Sequence, residues 1–422
     1  MREELGRLRS SLSIYLVSGI LNTAIPFLLI PVLTRFLSPA EYGAVGFFMI
    51  LMTGFSVVSA LGVEGAATRK YYDHDLAPVD IAQFVGSCIW ILVITSIVLA
   101  VASAVLQQTT MIFQSIGLAW VLYGVFSGGC VMLMQFTLGQ AQVRERASLF
   151  AIIQILSGLS NLGISLFFVI SLRLGAEGRV LGIVLSSMVT LVVCSVLLIR
   201  TGWLDLRWRS EFIKEALTFG VPLIPHSVAL FALAMADRYL IGTLIGFKEL
   251  GVYVLAMQVA AVFSIFFTAF HNAFTPWLFN QLKTGDSSAK QAIVMLTYSY
   301  FLFFLAVAAI ASSIGPSVIS ILAGEEYVAA NDFVALLIFS QIFIGFYLML
   351  VGYLLFEKKT KLLSFITVSS ASLNILLILL LIPYFGLKGV AIASLVAMII
   401  RFFAIWIASM KVHPMPWFRK FW

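Results

Sequence analysis

Apolar runs of about twenty or more residues recur from one end of the chain to the other, separated by short polar breaks. A helix rising 1.5 Å per residue needs about 20 apolar residues to cross the ~30 Å hydrocarbon core of a bilayer. The runs therefore predict twelve transmembrane helices, at 12–34, 42–63, 83–106, 111–138, 148–172, 180–199, 216–246, 251–279, 292–314, 333–356, 362–382 and 389–410. An even number puts both termini on one side. None of the breaks approaches the ~40 residues below which an unaided domain rarely folds, so an extramembrane catalytic domain is excluded.

Composition agrees with the pattern. Of 422 residues 61% are hydrophobic and 11% charged, against about 25% charged in soluble domains. The stretch MREELGRLRSS leads into the first apolar run with no small-residue cleavage site behind it, which predicts a retained first helix and not a removed signal peptide. Cys88, Cys130 and Cys194 are odd in number and each sits in an apolar run, so buried thiols are expected in place of disulfides or a metal site. With the N-terminus inside, 19 of the 26 Lys and Arg residues fall in inner segments and 5 (Arg35, Arg173, Arg179, Lys248 and Lys388) in outer ones. The remaining 2, Arg238 and Arg401, lie in the hydrocarbon. That asymmetry predicts an N-in, C-in topology in the cytoplasmic (inner) membrane. The net charge of +7 is then the inner face meeting anionic lipid, and no nucleic-acid partner is expected.

The chain also repeats itself. Ser38-Pro39-Ala40-Glu41-Tyr42-Gly43 matches Gly246-Phe247-Lys248-Glu249-Leu250-Gly251 at an offset of 208. Gly175-Ala176-Glu177-Gly178 matches Gly386-Leu387-Lys388-Gly389 at 211, and Asn161 matches Asn374 at 213. A repeat of six helices keeps both halves in the same orientation, which predicts two pseudo-symmetric six-helix bundles with a substrate path between them. The expected division is 1–199, a cytoplasmic linker at 200–215, and 216–422.

The stretches PVLTRFLSPAEYGAVGFF (31–48), ADRYLIGTLIGFKELGVYVLAMQ (236–258), ILAGEEYVAA (321–330) and PYFGLKGVAIAS (383–394) carry a family resemblance. Together they span nearly the whole chain. They resemble the polysaccharide-transporter branch, the Wzx-type flippases, of the multidrug/oligosaccharidyl-lipid/polysaccharide exporter superfamily. The resemblance implies an all-α, V-shaped pair of bundles that alternates between inward-open and outward-open states. It also implies a substrate: an isoprenoid-diphosphate-linked oligosaccharide moved from inner to outer leaflet for O-antigen or capsule synthesis. Lipid II flippases of the superfamily look longer by two helices, which this chain lacks.

Charged residues inside the bilayer carry the functional expectations, because each costs about 2.5–3.5 kcal/mol at a helix centre. Asp237 and Arg238 are neighbours, so they point about 100° apart and are not each other's partners. Asp237 falls on the face of His226, and Arg238 on that of Ser227. Under the resemblance, Arg238 and Arg401 bind the substrate diphosphate; the alternative for each is an interhelical brace. Both deep arginines would belong to the second repeat, since Leu29 and Ile30 stand at the matching positions of the first.

Asp237 and His226 are candidates for an ion-coupling pair or a brace, with H+ or Na+ as the coupling ion and no cofactor or metal. Glu64, Arg69, Lys70 and His271 form a candidate inner gate, with plain topology determinants as the alternative for the cations. Asn22 and Gln258 are candidate sugar contacts. Pro26, Pro31, Pro222 and Pro225 interrupt the leading helix of each repeat. Expected partners are the lipid-linked oligosaccharide, membrane lipid and polysaccharide polymerase or assembly proteins, and a monomer is expected. A cation-coupled multidrug extruder and a polytopic polysaccharide polymerase or ligase stay open as alternatives.

Overall fold

A computed structural model describes residues 14, 18, 25, 27–73, 77–106, 116–284 and 287–417, the side chains of His226, Thr284 and Ser287 excepted. Every regular element among them is helical, and ten of these helices are long and apolar enough to cross a membrane. The protein is a multi-pass membrane protein. In chain order the helices are α1 (Phe27–Phe36), α2 (Pro39–Ala60), α3 (Val63–Lys70), α4 (Pro78–Leu106), α5 (Leu118–Val143), α6 (Ala147–Leu166) and α7 (Gly175–Arg200). They continue as α8 (Ser210–Gly220), α9 (Ile224–Leu244), α10 (Phe247–Thr284), α11 (Ser287–Leu322), α12 (Val334–Phe356) and α13 (Thr360–Val412). A π-helical turn, Phe167–Ser171, extends α6. The chain forms two compact units, Met1–Phe231 and Ala232–Trp422.

In the first unit, α2 starts sharply because Ser38 and Glu41 close a capping box and Pro39 supplies a preset φ. Val45 and Phe48 of α2 pack on Val180 and Ile183 of α7. Val63 and Ala66 of α3, Phe84 and Cys88 of α4, Phe136 of α5 and Ala216 of α8 make a second buried cluster. All three cysteines are buried and free.

The expected linker is a docked strap. Asp205 N–H donates to the Ala82 carbonyl, Gln83 Nε2 donates to Asp205 Oδ2, and Trp90 Nε1 donates to the Leu206 carbonyl, each at 3.0 Å. Gly86 makes room for this approach, because a Cβ there would run into the Asp205 carbonyl. The strap leads into α8, so the helix expected over 216–246 is corrected. A 3-10 turn at Val221–Leu223 separates α8 from α9, since Pro222 and Pro225 each remove a backbone donor from the helical ladder.

In the second unit, α12 packs against α10, α11 and α13. Aromatic rings fill this core: Phe301 lies 4.3 Å from Phe346, and Phe267 lies 4.8 Å from Phe304, centroid to centroid. At 1.5 Å per residue, the 38 residues of α10 and 36 of α11 run well past the hydrocarbon thickness. The 53 residues of α13 cover two predicted spans and are interrupted at Gly386, where φ is 52° and ψ −133°. Its repeat-mate Gly175 has φ 56° at the start of α7. Both positions have the positive φ that glycine adopts without a Cβ clash.

Candidate functional site

The predicted membrane charges of the second unit separate into two constellations. Asp237, on α9, is buried and accepts a 2.7 Å hydrogen bond from the Tyr253 hydroxyl of α10. It also accepts from the Arg238 backbone N–H at 2.8 Å. The Arg238 side chain turns elsewhere, with one guanidinium nitrogen 3.0 Å from the Met235 sulfur. The half-buried Arg238 keeps an Nε that has no hydrogen-bond partner among the described residues. The expectation that neighbours on a helix diverge therefore holds here: Asp237 faces Tyr253, and Arg238 does not pair with it.

Arg401 is the second constellation. It sits on α13 with 8% of its surface exposed, and its guanidinium lies 3.8 Å from the centroid of the Tyr347 ring of α12. Its Nε is buried without a partner. Neither Arg238 nor Arg401 enters an ion pair among the described residues. Stacking on Tyr347 offsets part of the burial, a contact of about 2 kcal/mol when desolvated, and the guanidinium has no hydrogen-bond acceptor among the described residues. A buried cation with no counter-charge is chemically suited to an anion.

The remaining candidates are spread wider. Gln258 is half-buried on α10; beside it, Met257 Sδ accepts from Gln341 Nε2 of α12 at 3.4 Å. Asn22 and the side chain of His226 lie outside the described residues. His271 belongs to the second unit, where Nδ1 donates to the Leu348 carbonyl at 3.0 Å. Glu64, Arg69 and Lys70 belong to the first, on α3.

Lys70 does not pair with Glu64. It reaches Glu215 of α8 at 2.6 Å and Asp73 at 3.4 Å. Burial alone would depress its amine, but these two carboxylates outweigh that and hold it above the ordinary lysine value. Arg69 stands 5.6 Å over the Phe219 ring. A cleft of about 650 Å³ between α3 and α8 is lined by these groups with Lys214. Burial pushes the Glu64 carboxyl up.

Sequence reasoning missed four residues. Tyr253, Tyr347 and Glu215 carry no signal of their own, because a lone tyrosine in an apolar run and a glutamate in a charged linker are both ordinary. Arg179 is a correction. Expected in an outer loop, it is buried in the first turns of α7 and donates to Asn161 Oδ1 at 2.9 Å and to the Ser165 hydroxyl, both on α6. Asn161 in turn donates to Ser186 at 3.0 Å, and Thr190 donates to Ser157 at 3.0 Å. Deep arginines are therefore not confined to the second repeat. A signal existed: Ser157, Asn161 and Ser165 recur every four residues on α6 and form one polar stripe that needs a partner.

Comparison with known proteins places this geometry in a lineage. The family described as "Polysaccharide biosynthesis protein" matches residues 8–281, well over half of the chain. The chain belongs to the polysaccharide biosynthesis protein family. Within that assignment, the family described as MatE matches residues 222–380. Among curated relatives, "Lsg locus putative protein 1" of Haemophilus influenzae is 27% identical over 391 residues, covering 89% of this chain and 93% of its own.

Among solved structures, the fold is similar to an inward-facing multidrug resistance MATE family transporter of the MOP superfamily, with TM-score 0.73 and 15% identity over 92% of this chain and 95% of that one. It is also similar to a MATE transporter of Vibrio cholerae in its bent form, with TM-score 0.57 and 14% identity over 98% of each chain. These likenesses show a shared fold; taken with the two family matches and the curated relative, they put the chain in the polysaccharide-transporter branch of the MOP superfamily.

Proposed function

We propose that the protein is a flippase that carries an isoprenoid-diphosphate-linked oligosaccharide from the inner to the outer leaflet of the cytoplasmic membrane by alternating access, in surface polysaccharide synthesis. The observation that carries this reading is Arg401: a buried guanidinium, stacked on Tyr347, with no carboxylate in contact and no partner for its Nε among the described residues. A diphosphate cannot enter hydrocarbon unaided; a fixed cation with its donor edge free stabilises it, while the lipid tail remains in the bilayer. Arg238, also without an ion pair among the described residues, adds a second positive charge on α9. The proposal counts twelve crossings: the ten long helices, with α13 divided at Gly386, and a leading helix that ends in α1. It places both termini inside, with 1–199 and 216–422 as the two bundles joined by the linker. It makes the protein a transporter and not a polymerase or ligase, working as a monomer and handing its product to the assembly proteins outside.

One observation favours the multidrug reading. Asp237 is a buried carboxylate with a tyrosine partner and no ion pair among the described residues, which suits a cationic substrate or a coupling ion. The two readings separate in proteoliposomes. Arg401→Ala should lower transfer of the lipid-linked diphosphate at least about tenfold, a loss near 1.4 kcal/mol of binding or transition-state stabilisation, while leaving folded protein in the membrane. Unchanged lipid transfer, together with transport of cationic dyes, would assign the site to drug extrusion.

A further inference from the structure

Positive charge is disfavoured on the outer side of a membrane protein, yet two of the cations assigned there converge. Arg35, at the end of α1, and Arg173, between the π-helical turn and α7, line one cleft of about 440 Å³ in the first unit, together with Phe36, Glu41 and Gly175. Both arginines are exposed. The acids around them are committed to other donors. Glu41 Oε2 accepts from the Ser38 N–H and hydroxyl at 2.9 Å each, and Oε1 accepts from the Ala176 N–H at 3.3 Å. Glu177 Oε2 accepts from Trp120 Nε1 at 2.8 Å. Neither carboxylate forms an ion pair with Arg35 or Arg173 among the described residues.

Two guanidinium forks are thus left facing a shared polar space. The fork geometry matches a phosphate with two parallel hydrogen bonds, and the volume lies within the range of small-ligand sites, about 300–1,000 Å³.

We propose that this cleft is a docking site for the phosphate or diphosphate of a lipid headgroup at the outer leaflet. Only its sidedness and its place in the transport cycle, receiving the headgroup after crossing, rest on the flippase reading. Occupation by an anionic headgroup neutralises the two arginines and leaves the Glu41 cap of α2 and its bond to α7 undisturbed.

The test is arginine modification by phenylglyoxal on the full-length protein in a neutral, phosphate-free maltoside detergent, to which phospholipid is added as mixed micelles, with the modified positions read by peptide mass spectrometry. Inorganic diphosphate at about ten times its dissociation constant should slow labelling of Arg35 and Arg173 about tenfold, and sulfate at matched ionic strength should not. Protection by diphosphate but not by phosphatidylglycerol identifies a diphosphate ligand; protection by phosphatidylglycerol alone identifies a phospholipid phosphate. Protection by neither, or equal protection by sulfate, overturns the site. The Arg401→Ala protein keeps the flippase reading separate. Loss of transport in that variant with Arg35 and Arg173 unprotected in every protein sinks the cleft alone, whereas protection of the cleft with transport intact sinks the Arg401 reading alone.

Discussion

At the scale of single residues, the second unit holds its buried carboxylate through one hydroxyl. Tyr253→Phe removes the bond to Asp237 and leaves an acceptor underpaired where water is scarce, at a cost of about 1–3 kcal/mol. Thermal unfolding in detergent should show a lowered midpoint, while Tyr253→Phe leaves the stacking on Phe333, 6.1 Å between centroids, in place. Glu64 runs the other way. Its carboxyl is raised by burial, so the charged form is the one penalised by folding. That penalty is absent below the unfolded value and grows as pH rises above it. Glu64→Gln should therefore raise the unfolding midpoint at pH 7 and leave it unchanged near pH 4.

The charges in apolar runs were legible from composition alone, because Asp237, Arg238 and Arg401 interrupt stretches that exclude charge. Their partners were not. Tyr253 and Tyr347 stand sixteen and fifty-four positions away, and only tertiary packing selects them from thirteen tyrosines of similar surroundings. Arg179 was misread for a physical reason: it lies four residues after a glycine turn, where sequence cannot tell a loop cation from one drawn into the helix by Asn161 and Ser165.

At the scale of elements, helix existence followed from apolar length, and the breaks followed from Gly and Pro. Gly175 and Gly386, matched in the sequence repeat, both have a positive φ. What the pattern could not give was the docking of the linker. A polar, tryptophan-containing segment reads as a surface connection, and its course over α4 depends on the absence of a side chain at Gly86. Gly86→Ala should displace the strap at 203–209, breaking the bonds from Gln83 and Trp90. Limited proteolysis should then cut the linker faster, and the unfolding midpoint should fall by several degrees. Cleavage at the wild-type rate would show that the strap is held by something other than its seat on α4.

For the whole molecule, membrane class and family were legible in sequence, because each is written in patterns longer than any local ambiguity. The two units bury arginine in different ways. The first unit buries Arg179 among neutral donors and acceptors, and the second buries Arg401 against a ring. Arg179 donates through Nη1 to Asn161 and Ser165, although its Nε is unpartnered as well, whereas Arg401 makes no hydrogen bond to any side chain or carbonyl among the described residues, and the proposed function rests on that difference. The most direct measurement is transfer of a fluorescent isoprenoid-diphosphate oligosaccharide across proteoliposomes that contain this protein alone, scored by accessibility of the sugar to a membrane-impermeant reagent. The account predicts sugar appearing on the opposite face at a rate that falls at least about tenfold in Arg401→Ala. No transfer above protein-free vesicles under any imposed H+ or Na+ gradient, by protein shown to be folded, would contradict it.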